Sequence, residues 1–177
     1  MVNEEFEKCI QQMKDKDRMG LQRVYEAYNA YIYAILLSYV GRHEDAEDLT
    51  VEFFIHLWNK ADSYRPGSGH KAWITRMARN LAVDFLRKNR RELPAEDPQE
   101  QTDVPVQTVP SAEETAVEKL GFSDLIQTLS EEEKRIVTMK IRGELTFKEI
   151  SSILEMPMGT VSWKYQEAAK KLRRAQG

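Results

Sequence analysis

A proline-rich acidic stretch interrupts this chain of 177 residues and restricts the folds that it can adopt. Residues 93–115, LPAEDPQEQTDVPVQTVPSAEET, contain four of the six prolines, no aromatic residue and no helical apolar stripe. Low hydrophobicity, charge of one sign and repeated proline predict an extended, flexible linker rather than part of a packed core. We therefore expect two small domains, residues 1–92 and 116–177, joined by this linker.

Both flanking pieces have the apolar periodicity of α-helices, and the alternating β-branched runs typical of strands are absent. Ser130 with Glu133, and Thr146 with Glu149, have the spacing of the capping box that starts a helix. Gly143 is expected to end the helix before it. The fold class predicted is all-α. The predicted helices cover residues 4–13, 20–40, 44–61 and 70–90 in the first domain, and 115–128, 131–142, 146–154 and 158–174 in the second.

Several classes of protein do not fit this sequence. The single cysteine, Cys9, excludes an internal disulfide and a cysteine-rich zinc site. The longest apolar run, AYIYAILLSYV, is too short to span a membrane, and the acidic N-terminus MVNEEFEKC lacks the apolar core of a signal peptide. No P-loop, nucleophile elbow, dinucleotide fingerprint or convincing metal set is found. We expect a cytoplasmic protein that is not an enzyme, has no cofactor or metal, and does not insert into membranes.

Charge is segregated along the chain, although the formal net charge is only −3. Residues 65–91 hold eight Lys or Arg and one acid, and residues 159–177 hold five and one. Residues 92–118 hold eight acids and no Lys or Arg. These blocks indicate a charged surface laid out along the chain, which is more informative than the net charge.

The first basic block, KAWITRMARNLAVDFLRKNRR, is predicted to form an amphipathic helix with an apolar and a basic face. The basic face is either a solvated surface or a surface for phosphates and base edges, which Arg and Asn recognise well. Tyr64 and Trp73, beside a glycine-containing loop, either stack on unpaired bases or are residues of the core or its rim. The apolar face comprises Ile74, Met77, Ala78, Leu81, Ala82 and Phe85; the other comprises Arg76, Arg79, Asn80, Val83 and Arg87.

A second helix, DAEDLTVEFFIHLW at residues 45–58, has an outward face that mixes aliphatic side chains with carboxylates. Such a face is either a scatter of ordinary exposed residues or a protein-binding patch with an acidic rim. The inward stripe is Ala46, Leu49, Phe53 and Leu57, and the outward face is Asp45, Asp48, Val51, Glu52 and Ile55.

The stretch LTFKEISSILEMPMGTVSWKYQEAAKKLRRA predicts a helix-turn-helix. A short capped helix leads through a break at residues 155–157 into a longer helix with a polar outer face, which is the arrangement that enters the DNA major groove. A plain helical hairpin is the alternative. The inward residues of the second helix are Val161, Tyr165, Ala168 and Leu172, and the outward ones are Thr160, Trp163, Gln166, Glu167 and Lys170, flanked by Ser162 and Lys164.

These three segments, in this order, resemble bacterial sigma-70 factors of the extracytoplasmic-function (ECF) group, from about Leu21 to Arg174. The family's DAED-x-x-Q-x-x-F-x-x-x-W helix is similar to residues 45–58, and its W-[LI]-x-x-[IM]-A-R-N-x-x-x-D-x-x-R helix to residues 73–87. Its helix-turn-helix L-[ST]-x-x-E-I-A-x-x-L-x-[IM]-[SP]-x-G-T-V-x-S-R is similar to residues 145–165.

The resemblance implies a function and a set of partners. In the family, the first helix docks on the β′ clamp helices of core RNA polymerase, the second recognises and opens the −10 promoter element, and the helix-turn-helix reads the −35 element. An anti-sigma factor is a further partner that such relatives have. A stand-alone helix-turn-helix regulator is the alternative, but it leaves the first helix and the two-domain layout unexplained.

The resemblance also implies roles for particular residues. The family's docking helix corresponds to Asp45, Glu47, Asp48, Glu52, Phe54 and Trp58, from which the helical wheel selects Asp45, Asp48, Val51, Glu52 and Ile55 for polymerase contact. The −10 surface corresponds to Tyr64, Trp73, Arg76, Arg79, Asn80 and Arg87. The −35 surface corresponds to Thr160, Ser162, Trp163, Lys164, Gln166 and Lys170.

Three positions depart from the family pattern. Val51 stands where the family has Gln, which replaces a polar contact to polymerase with an apolar one. The segment Ser162–Trp163–Lys164 stands where the family has K-S-R. Glu155 occupies the position of the turn glycine, where left-handed backbone geometry costs any other residue roughly 1 kcal/mol.

Overall fold

The computed structural model describes residues 1–92 and 126–176 of the chain. The predicted linker, and most of the predicted helix at 115–128, lie outside these residues. Within them the fold is all-helical, as predicted, with helices in two domains on either side of the linker. The helices are α1 (Asn3–Lys14), α2 (Arg18–Val40), α3 (His43–Asn59), α4 (His70–Glu92), α5 (Glu131–Ile141), α6 (Phe147–Leu154) and α7 (Met158–Gln176), with a short 3₁₀ turn at Ala61–Ser63.

The helix boundaries in the described residues agree with the sequence prediction to within two residues. Both predicted capping boxes are confirmed: the Ser130 and Thr146 side chains accept the Glu133 and Glu149 amides, and each glutamate carboxylate returns to its cap amide. Helix α5 ends just before Gly143, with Arg142 as its C-cap.

The N-terminal domain is a bundle of α1–α4 around one apolar core. Asp17 caps α2 by accepting the Met19 amide at 2.9 Å, and Gly41 ends α2 in the left-handed conformation that glycine adopts without strain. The inward stripe predicted for α3 is confirmed, since all four residues are at most 2% exposed. The other fully buried large side chains of this domain are Phe6, Met13, Ile32, Ile35, Leu36 and Ile74.

A glycine allows α1 and α2 to cross closely. A Cβ added at Gly20 would lie 2.3 Å from the Cys9 carbonyl oxygen, closer than any real contact, so only glycine fits there. Cys9 itself is buried in this crossing, and burial raises the pKa of its thiol.

The C-terminal domain consists of α5–α7, and its core continues into that of the N-terminal domain. Ile136, Met139, Ile150 and Ile153 belong to the same apolar cluster as Phe6 and the other core residues of α1–α4. The linker pattern predicts two tethered domains, but it does not predict this shared core. The two domains are therefore packed against each other through apolar surface.

Candidate nucleic-acid interface

Helix α4 carries the basic face, and its apolar side anchors it to α2. Ile74, Ala78 and Ala82 are buried as predicted. Thr75 is also buried, and its hydroxyl lies 2.7 Å from the hydroxyl of Tyr31 on α2. Burial raises the pKa of the Tyr31 phenol, so this residue stays neutral and acts as a fixed hydrogen-bonding group that sets the rotation of α4.

Of the two aromatic candidates for base stacking, one lies inside the domain. Tyr64 is 3% exposed, with its ring edge-on to Phe6 at 5.2 Å and to Trp73 at 5.1 Å between centroids. Tyr64 therefore occupies the core, the second of the two places that the sequence left open. Trp73 is half-buried and lies at the rim of the same aromatic cluster. In this conformation only the rim of Trp73 is open to a ligand.

The base of α4 is held by a histidine that the sequence analysis did not single out. His70 is 2% exposed, stacks on Phe6 at 4.6 Å, and contacts the Tyr28 hydroxyl and the Asn3 side-chain oxygen. Nδ1 faces the Asn3 oxygen and must donate, so Nε2 accepts from Tyr28 in the neutral ring. Burial, followed by the charges of Lys71 and the N-terminus, lowers the pKa of His70 to about 4.

Part of the basic face of α4 lies beside the C-terminal domain. Arg76 donates to the Ser152 hydroxyl at 3.1 Å, and an Arg79 nitrogen lies 3.3 Å from a Glu155 carboxylate oxygen. Asn80 is exposed and accepts from Arg79 at 3.4 Å. Arg87, near the far end of the helix, is exposed and lies 4.0 Å from Asp84. The predicted −10 residues on α4 thus share one face, and two of them touch α6 or the turn after it.

The helix-turn-helix has the predicted geometry. Helix α6 ends at Leu154, and its C-cap Glu155 has a left-handed φ of 55°, as expected at the position of the family's glycine. Val161 and Ala168 are fully buried, and Trp163 is 59% exposed. The predicted −35 residues lie along the outer side of α7: Trp163, Gln166 and Lys170 are exposed, and Thr160, Ser162 and Lys164 are half-buried.

Two of these −35 residues form ion pairs with the chain's own carboxylates. Lys164 lies 2.6 Å from Glu132 on α5, and Lys170 lies 2.7 Å from Glu167 one turn away. Each of these two lysines of α7 is therefore already paired with a carboxylate of the chain.

The outward face of α3 is open. Val51 and Ile55 are 63% and 57% exposed, and Asp48 and Glu52 beside them are exposed as well. Asp45 is half-buried and lies 3.9 Å from Arg42. Phe54 is buried and Trp58 half-buried, in agreement with their place on the core side of the wheel. The face combines two aliphatic side chains with an acidic rim, which suits a partner surface that is apolar and basic.

Comparison with known proteins identifies the family of each domain. The family described as "Sigma-70 region 2" matches residues 24–92, and "Sigma-70, region 4" matches residues 119–172. The ECF RNA polymerase sigma factor SigW of Bacillus subtilis is 29% identical, covering 96% of this chain and 95% of its own. The ECF RNA polymerase sigma-E factor of Haemophilus influenzae is 26% identical, covering 86% and 85%.

Two solved structures share the fold. The sigma factor RpoE of Bartonella quintana, crystallised with the anti-sigma factor NepR, has a TM-score of 0.65 at 20% identity and covers 89% of this chain and 96% of its own. CnrH, in complex with the cytosolic domain of CnrY, has a TM-score of 0.61 at 14% identity, with 97% of both chains covered.

These findings define the class. The chain belongs to the sigma-70 family of transcription initiation factors, within its extracytoplasmic-function group. It is a promoter-recognising sigma factor, and sigma factors are regulators of transcription rather than catalysts. A stand-alone helix-turn-helix regulator is not favoured, because it gives no reason for the region 2 match. Among the described residues, no helix is long and apolar enough to span a bilayer.

Proposed function

We propose that this sigma factor binds core RNA polymerase through α3 and recognises its promoters through α4 and α7. Residues 1–92 form the docking and −10 domain, residues 93–115 the tether, and residues 116–177 the −35 domain. The observation that carries the proposal is the presence of all three surfaces on one chain, in the order of the family motifs. The protein acts in the cytoplasm, where the polymerase and the DNA are found.

Polymerase docking is assigned to the exposed face of α3. Val51 and Ile55 supply the apolar centre, and Asp48 and Glu52 supply the acidic rim that selects basic residues on the β′ clamp helices. Asp45, half-buried at the start of the helix, extends the rim.

Promoter contact is assigned to two basic surfaces. Arg76, Arg79, Asn80 and Arg87 on α4 contact the −10 element, with Trp73 at the edge where a displaced base stacks. Tyr64 supports Trp73 from the core. The −35 element is contacted by the outer side of α7, through Thr160, Ser162, Trp163, Lys164, Gln166 and Lys170.

Neither basic surface is expected to bind promoter DNA tightly alone. Protein–DNA affinity depends strongly on the number of phosphates that the protein neutralises, and each of these surfaces is small. The acidic residues 92–118 also repel DNA. Polymerase raises the effective concentration of each surface at its element by holding both domains on one particle. The family's anti-sigma factors are partners that would prevent this assembly.

Run-off transcription with sigma-free core polymerase on a promoter library tests the function. We expect transcripts from a defined subset of promoters with the purified chain, and none without it. Failure to initiate at any promoter would overturn the proposal. Tight binding of promoter DNA by the chain alone, in a gel-shift assay, would instead favour the stand-alone regulator.

A further inference from the structure

The N-terminal part of α7, the helix proposed to read the −35 element, has an apolar surface. Met158 and Trp163 are 55% and 59% exposed, and Gly159 is exposed as well. No residue from 158 to 163 carries a charge, and the first charged side chain of the helix, Lys164, is already paired with a carboxylate of α5. A recognition helix contacts base edges with its N-terminal residues, so in the proposed role apolar groups of α7 face the bases.

The packing of α7 fixes the direction in which Trp163 projects. Val161 and Ala168 are fully buried, and the helical repeat places both of them on the side opposite Trp163. The ring of Tyr165 lies edge-on to that of Phe147 on α6, with 5.4 Å between centroids. Trp163 is therefore carried by an anchored helix, which is the kind of support that a side chain needs in order to select one base.

The position one turn before Trp163 is open. A Cβ added at Gly159 would meet no heavy atom within 4 Å, so the indole does not cover this position. Gly159 does not have a positive φ, and neither its backbone conformation nor its packing requires a glycine. Because a Cβ is the size of a methyl group, a methyl group from a ligand fits beside the indole without a clash.

Thymine is the base that presents a methyl group in the major groove. The other bases present only hydrogen-bond donors and acceptors there. An indole offers a large apolar surface and a single N–H donor, with no acceptor. Trp163 is therefore well suited to contact the 5-methyl group of thymine, and it cannot form the paired hydrogen bonds by which Arg reads guanine or Asn reads adenine.

We propose that Trp163 selects thymine in the −35 element by contact with its 5-methyl group. The inference rests on the proposed −35 role of α7 and adds the chemical group that is recognised. Gln166, the next exposed residue along the helix, supplies hydrogen bonds to a neighbouring base. The family pattern has serine in place of Trp163, and serine has too little apolar surface for this contact, so the requirement for thymine is a property of this chain.

Removing the methyl group from the DNA isolates this contact. Deoxyuridine lacks the 5-methyl group of thymidine but pairs with adenine through the same hydrogen bonds. Replacing every thymidine of the −35 element on both strands therefore leaves the donors and acceptors of both grooves unchanged. The experiment uses the holoenzyme formed from the full chain and core polymerase, on a fluorescein-labelled promoter that run-off transcription has selected. Fluorescence anisotropy gives the affinity for the thymine and uracil forms of that promoter.

We expect the wild-type holoenzyme to bind the uracil form about three- to fivefold more weakly, as for the loss of one buried methyl group. Trp163→Ala and Trp163→Ser should both bind the thymine form more weakly and should not distinguish the two forms. Trp163 is exposed and alanine favours helix, so the domain stays folded in Trp163→Ala. Lys170→Ala is the matched control on the same face of α7. It should weaken binding to both forms equally, because a lysine–phosphate contact carries no sequence information.

The outcomes distinguish this inference from the proposed function. If the wild-type holoenzyme initiates at no promoter, the proposed function fails, and the inference fails with it. Initiation together with equal affinity for the thymine and uracil forms overturns the methyl contact alone, as does a selected −35 element that contains no A·T pair. A preference for thymine that persists in Trp163→Ala also overturns it, because the preference then comes from another residue or from the DNA itself.

Discussion

The two helices of the N-terminal domain that are proposed to bind partners, α3 and α4, differ in how exposed they are. The outward face of α3 is open, with Val51 and Ile55 more than half exposed. Part of the basic face of α4 lies beside the C-terminal domain, where Arg76 and Arg79 have partners on or beside α6. The face proposed to dock on polymerase is therefore free of contacts with the other domain, whereas two residues of the proposed −10 face already have partners within the chain.

The largest effect is expected from charge reversal on the open face. Asp48→Lys with Glu52→Lys should weaken binding to core polymerase at least tenfold, because the acidic rim then repels a basic partner. A pull-down or anisotropy titration with core enzyme measures this. The radius of gyration should not change, since both side chains are exposed.

The control for that experiment carries the same change of charge elsewhere. Glu26→Lys with Asp62→Lys alters two exposed acids on α2 and in the 3₁₀ turn. It should bind polymerase like the wild type. Equal losses in both double variants would mean that net charge, rather than the face of α3, governs docking.

The stability of the chain should depend on pH through His70, at the start of α4. The unfolded chain takes up a proton near pH 6.5, whereas the folded ring, with its pKa lowered to about 4, does not. The stabilisation that comes from the neutral, buried His70 is therefore fully present above pH 6.5. The free energy of unfolding decreases as the pH falls toward 4. Between pH 7 and pH 5 we expect a loss of about 1–2 kcal/mol in urea unfolding.

Two variants isolate this histidine. His70→Gln should flatten the pH dependence between pH 7 and pH 5, because no buried imidazole remains to be protonated. His56→Gln, at an exposed position on α3, should leave the slope of the wild type. A slope that survives in His70→Gln would assign the effect to other groups.

The smallest effect is expected at the start of α6, the helix that lies beside α4. Thr146→Ala removes the side chain that accepts the Glu149 amide at 3.2 Å, at the start of α6. We expect a loss of about 1 kcal/mol in urea unfolding of the chain, with polymerase affinity unchanged. Ser68→Ala, at an exposed loop position of the N-terminal domain, should change stability by less than about 0.5 kcal/mol. A larger loss at Ser68 than at Thr146 would contradict the capping role.

Local features of this fold follow from the sequence, and long-range ones do not. Capping at Ser130 and Thr146 and the inward stripe of α3 depend on residues within a turn or two, so periodicity finds them. The burial of Tyr64 and His70 depends on Phe6 of α1, which a helical wheel of α4 cannot include.

The contact between Arg79 and Glu155 could not be predicted for the same reason, because these residues are 76 positions apart. One signal was present: a glutamate at the position of the family's turn glycine is costly for the backbone and calls for a compensating contact. The structure supplies that contact in Arg79.

The crossing of α1 and α2 has a consequence for how this regulator receives information. Its single cysteine, Cys9, is buried between α1 and α2, and burial raises the pKa of its thiol. A protonated, inaccessible thiol reacts slowly with peroxides and electrophiles. Cys9 is therefore poorly suited to serve this factor as a direct sensor of oxidants.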